Sequence, residues 1–147
     1  MDSEKKTKKT VISRAGKTLG RPVVRSEPLI PVPTHCPGQM YTYFKAIYPY
    51  YYKSLTEMFE DMVRRFAEEQ PYLHGLQFRR PKTTSEKLGE STGLTGWVQC
   101  NVRLPEDLRA RVVAIAETHN QSNAAVCYTA MFWWAQYVYP PKVVLKS

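Results

Sequence analysis

The chain has no long hydrophobic run. Across its 147 residues no stretch of about 18 apolar residues occurs, so a membrane-spanning helix is not expected. The N-terminus is charged and lacks an apolar core, which argues against a secretory signal and for a cytoplasmic protein without membrane partners. Cysteine is scarce: Cys36, Cys100 and Cys127 form neither a CxxC pattern nor an HxxxH companion set. Buried reduced thiols are expected, not a disulfide framework or a zinc site. His35, His74 and His119 lie far apart in unrelated contexts. No paired carboxylates, glycine-rich phosphate loop or Ser/His/Asp set is apparent either. The expectation is a protein that is not an enzyme and uses no metal or other cofactor.

What is plentiful is positive charge. The formal net charge is +8, and residues 1–27 hold eight Lys/Arg against three acids, leaving thirteen against ten for the remainder. That N-terminal segment has few large apolar residues and no period, and reads as a disordered basic tail. A basic tail on a mildly basic body points to a polyanionic partner.

The helical period is clearest in "SLTEMFEDMVRRFAEEQ", residues 54–70. Ser54 and Glu57 form an S-x-x-E capping box. Leu55, Met58, Phe59, Met62, Val63 and Phe66 make one apolar stripe. Residues 39–52, "QMYTYFKAIYPYYY", predict a shorter helix interrupted near Pro49. "PEDLRARVVAIAETH" predicts a helix opened by Pro105, with Leu108, Val112, Ile115 and Ala116 facing inward. "SNAAVCYTAMFWWAQYVY", residues 122–139, is apolar all round and belongs in a core or at a subunit seam, Trp133 and Trp134 included. Residues 79–96 read as a polar linker with three glycines and a proline.

A shift of 68 positions places Pro37 on Pro105, Met40 on Leu108, Ser54 on Ser122 and Met58 on Val126. Few residues are identical, so the repeat is one of pattern. It divides the chain into a tail (1–27), a degenerate first unit (28–78), the linker (79–96) and a second unit (97–147).

Each unit opens on an extended segment. In "WVQCNVRLP", Val98, Cys100, Val102 and Leu104 alternate with Gln99, Asn101 and Arg103. The equivalent first segment, residues 29–36, puts Ile30, Val32, Thr34 and Cys36 on one face and Pro31, Pro33 and His35 on the other. A lone strand must pair. Pairing the two copies about a pseudo-two-fold axis gives an antiparallel ribbon closing a helical core. A two-stranded ribbon fits the major groove of B-DNA, where Gln and Asn pair with adenine and Arg with guanine.

This alternation, proline and helix pair, "VQCNVRLPEDLRARVVAIAETHNQSNAAVCYTAMFWWAQYV", resembles the ribbon-helix-helix DNA-binding family of the Arc/MetJ type. The whole layout, with "IPVPTHCPG" and "YFKAIYPYYYKSLTEMFEDMVRRF" ahead of it, resembles single-chain tandem members such as the VirC-type accessory proteins of T-DNA transfer. The resemblance implies a mostly α fold with a short β-ribbon, in tandem ribbon-helix-helix form, binding double-stranded DNA sequence-specifically. It implies base reading by Gln99, Asn101 and Arg103, and phosphate contact at the helix start Ser122 and Asn123. Lys53, Ser54, His35, Arg79 and Arg80 are further candidate phosphate contacts. The role implied is that of a relaxosome accessory protein in conjugative or T-DNA-like transfer, with a relaxase as candidate partner and a homodimer left open. A transcriptional repressor or antitoxin, and an interaction module without DNA, are the alternatives. Six tyrosines, Tyr41, Tyr43, Tyr48, Tyr50, Tyr51 and Tyr52, crowd twelve residues; packing is preferred for them over stacking on unpaired bases.

Overall fold

The computed structural model describes residues 28–88 and 91–141; the basic segment 1–27 lies outside them. The order is β1 (Leu29–Pro37), α1 (Gly38–Tyr51), α2 (Leu55–Glu69), a 3₁₀ turn (Pro71–His74), β2 (Ser85–Leu88), β3 (Ser91–Leu94), β4 (Trp97–Pro105), α3 (Glu106–Thr118) and α4 (Asn123–Trp133), which runs into a π-helical turn (Trp134–Val138). The described residues are mostly helical, with two small antiparallel two-stranded sheets among them. Strand–helix–helix is traversed twice, and Leu29 to Trp97, Gly38 to Glu106 and Leu55 to Asn123 are each 68 positions apart.

β1 pairs with β4 over its whole length. Val32, Thr34, Cys36, Cys100, Val102 and Leu104 are buried, whereas Gln99, Asn101 and Arg103 are exposed, as the alternation requires. Three prolines fit in β1 because Pro31, Pro33 and Pro37 share one parity. Proline is tolerated where the N–H would point away from the partner. At Pro31 and Pro33 the open edge of β1 therefore offers no donor to a third strand.

The four helices pack on the ribbon's apolar face. Met58, Met62, Val63, Phe66, Leu108, Val112, Val126 and Trp134 are all at most 2% exposed. Phe44, Phe59 and Trp134 meet edge to face, with centroids 5.8–5.9 Å apart. α2 starts at Ser54, whose Oγ accepts from the Glu57 N–H at 3.1 Å. The returning Glu57 carboxylate accepts from the N–H of Lys53, one residue outside the expected box.

Four expectations need correction. α1 is not interrupted at Pro49; it runs through to Tyr51, because Pro49 falls in its last turn and Phe44, Ile47 and Tyr48 pack against the core. The linker 79–96 is not wholly irregular: β2 and β3 form a hairpin within it. α3 begins one residue later than expected, since Pro105 ends β4 and serves as the N-cap. α4 does not stay α-helical to residue 139. At Trp134 it widens to π geometry, marked by the Tyr139 N–H bonding the Trp134 carbonyl at 2.8 Å.

Candidate nucleic-acid interface

The ribbon's outer face is set by its register. Arg103 lies opposite Pro31, Asn101 opposite Pro33, and Gln99 opposite His35. The three amide and guanidinium side chains thus form a single row along β4, and their β1 neighbours are two pyrrolidine rings and one half-buried imidazole. Arg103 lies four residue steps along the strand from Gln99, a span of about 14 Å. No ion pair to Arg103 is formed among the described residues, so its guanidinium projects with its donors available.

The row is held rigidly from below. Thr34, 1% exposed, donates its hydroxyl to the Ala124 carbonyl at 2.8 Å, tying β1 to the first turn of α4. At the far end the Gly38 N–H bonds the Gly96 carbonyl at 2.8 Å. A Cβ built on Gly38 would stand 3.1 Å from that carbonyl oxygen, so glycine is what permits the close approach.

Thr34 places the start of α4 beside the ribbon. Ser122 caps it, its Oγ accepting from the Ala125 N–H at 3.0 Å. Helix geometry leaves the N–H groups of Asn123 and Ala124 without an intrahelical acceptor, and the first turn of α4 carries no acid. That is an electropositive end suited to a phosphate. The start of α2 differs. Lys53 and Ser54 are exposed there, but Glu57 lies in the first turn, with Glu60 and Asp61 lining an open hollow beside it. Lys53 and Ser54 therefore stand in a field partly cancelled by carboxylates.

Of the remaining candidates, Arg79 stacks its guanidinium on Phe132, 3.8 Å from the ring centroid. Its backbone N–H bonds the Thr129 hydroxyl at 2.9 Å. This fixes Arg79 at the surface near α4, while its neighbour Arg80 is exposed. The ribbon face thus brings together Gln99, Asn101, Arg103 and His35, with Ser122 and Asn123 next to it through Thr34. Among the described residues the contacts of Arg79 run to Thr129 and Phe132 and do not join it to that set. Thr34 was missed as a positioning residue: in the sequence it reads only as a polar interruption of an apolar face.

The tyrosines divide. Tyr52 donates to Asp61, and burial followed by that hydrogen bond holds its phenol well above the usual range. Tyr43 donates to the Tyr139 carbonyl, and Tyr51 stacks on Tyr139 at 4.9 Å. Tyr50 and Tyr51 are exposed. Beneath the ribbon Cys36, Cys100 and Cys127 are free, buried thiols. The Cys36 thiol, hydrogen-bonded to Cys100 and buried, is held above the ordinary thiol range. Burial pushes Cys127 up to about 12. Among the described residues no group of three or more His, Cys, Asp or Glu side chains could hold a metal ion, and no helix is long and apolar enough to cross a membrane. Comparison with family models, curated proteins and solved structures gives no match to this chain.

Proposed function

We propose that this chain is a tandem ribbon-helix-helix unit that binds double-stranded DNA sequence-specifically through its β-ribbon. One observation carries the reading. The outward face of β4 presents Gln99, Asn101 and Arg103 in one exposed row, while the inward face seals the helical core. Surface strands that serve only solubility have no need of three residues that each make paired hydrogen bonds to base edges. A ribbon of two strands has the width of the major groove. The 68-residue offset between the element starts supports the tandem arrangement. The pairing register supports it too: Pro33 and Asn101, equivalent under that offset, lie opposite one another where a pseudo-two-fold axis would pass.

In this reading Gln99, Asn101 and Arg103 contact bases, and Ser122 and Asn123 hold a phosphate at the start of α4. Lys53 and Ser54 form a weaker second phosphate contact. Arg79 and Arg80 are candidate outer contacts. The formal charge of +8 supplies the long-range attraction. Joining two unlike strands in one chain suits a DNA site with a direction, such as a transfer origin, better than a palindromic operator. We therefore favour an accessory role in DNA transfer, alongside a relaxase, over a repressor or antitoxin.

Fluorescence anisotropy on duplexes across a salt series tests this reading. Binding should weaken linearly in the logarithm of affinity against the logarithm of salt, and a specific duplex should outcompete random DNA. Affinity absent at low salt, or unaffected by salt, would overturn it.

A further inference from the structure

The two strands of the ribbon are equivalent in backbone and unlike in chemistry. Under the 68-residue offset Gln99, Asn101 and Arg103 correspond to Pro31, Pro33 and His35. A symmetric ribbon would set a Gln and an Arg side by side at each end. Here Gln99 lies beside His35 at one end, and Arg103 lies beside Pro31 at the other. The helix starts flanking the ribbon are unlike as well: α4 opens without an acid, and α2 opens with Glu57.

Resting on the DNA-binding reading, we infer that the ribbon recognises a short non-palindromic core, with an adenine at the Gln99 end and a guanine at the Arg103 end, and so seats the protein in one orientation. The span of about 14 Å from Gln99 to Arg103 covers roughly four base pairs at about 3.4 Å each. Asn101 sits at its centre, opposite Pro33, and specifies a second adenine. Pro31 and Pro33 carry no side-chain donor or acceptor. Their exposed rings offer only an apolar face, which suits the C5-methyl of thymine and cannot read a hydrogen-bonding edge. Pro33 lies beside Asn101, so its ring and that amide can address one A·T pair, by the thymine methyl and the adenine edge, whereas Pro31 stands beside Arg103 at the guanine end. The polarity of the site is thus written mainly by one strand, and the other supplies shape and methyl contact.

Selection from a random duplex pool with the intact protein, followed by binding to the enriched motif, tests this. A non-palindromic motif with guanine near one end and adenine near the other is the expected result. Arg103→Ala should then lose preference at the guanine alone and Gln99→Ala at the outer adenine alone, by about tenfold or more each at a good bidentate contact. The triple variant Pro31→Gln, Pro33→Asn, His35→Arg makes the two strands alike and should select an inverted repeat. Enrichment of a palindrome by the native protein, or binding to all duplexes with no motif, would overturn the directional core while leaving DNA binding intact. Absence of any duplex affinity at low salt would instead remove the reading on which it rests.

Discussion

Pro33 stands directly across the ribbon from Asn101, its counterpart 68 positions on. The middle of the outer face thus carries one amide and one ring without hydrogen-bonding groups. With Pro31 and Pro33 the open edge of β1 lacks two donors for a third strand, and under the proposed function β4 is the strand that meets the bases. The energetic division is similar: the inner residues hold the fold, and the outer residues are free to meet a ligand.

Arg103→Ala removes the only guanidinium on the ribbon's outer face. Competition between a specific and a random duplex should show a loss of roughly 1–3 kcal/mol in discrimination, with the denaturation midpoint unchanged because Arg103 is exposed. Discrimination equal to the native protein's would count against base reading by this residue.

Thr34→Val keeps the shape of the side chain and deletes its hydrogen bond to the Ala124 carbonyl. A cost of about 1 kcal/mol is expected in urea denaturation. DNA affinity should also fall, since the start of α4 loses its tether to the ribbon. A variant that loses stability yet binds as before would show that α4 is positioned by packing alone.

Ser122→Ala removes the cap that accepts from Ala125. Stability should drop by about 0.5–2 kcal/mol. The same change at Ser54 should cost a comparable amount of stability but less DNA affinity, because Glu57 already weakens that helix end for phosphate. Equal binding losses from the two would contradict the unequal clamps.

Buried thiols give the fold an alkaline limit. The ordinary thiol value of 9.0 applies to Cys127 in the unfolded chain, whereas burial pushes it up to about 12 in the folded one. The unfolded state therefore loses the proton first. The stabilisation is whole below pH 9 and declines as pH rises from about 9 towards about 12. Denaturation midpoints measured from pH 8 to pH 11 should fall in the native protein and fall less steeply in Cys127→Ala. Identical slopes would show that this thiol is not the cause. Thiol reagents at neutral pH should label none of the three cysteines until the chain is unfolded.

The ribbon was legible in the sequence because alternation over "WVQCNVRLP" has one solution once a face must be buried. The prolines of β1 fixed its parity in the same way. The capping serines marked the starts of α2 and α4, and the stripe from Leu55 to Phe66 marked which side of α2 packs. The β2–β3 hairpin was hidden because "SEKLGESTGL" has too few large apolar residues to show a period of two. The π turn at Trp134 was hidden for the opposite reason: in "AMFWWAQYV" nearly every position is apolar, so a change of helical period leaves no trace. Pro49 misled because a breaker in the sequence marks a limit, and its effect depends on how many helical residues remain after it. Thr34 could be recognised only once β1 and α4 were brought together in space.

The most direct test of base reading is the triple variant Gln99→Ala, Asn101→Ala, Arg103→Ala, titrated against a selected duplex and a random one at fixed salt. A DNA-reading ribbon predicts that the variant folds normally and binds both duplexes with the same weak affinity. A variant that still prefers the selected duplex as strongly as the native protein would mean that specificity resides elsewhere.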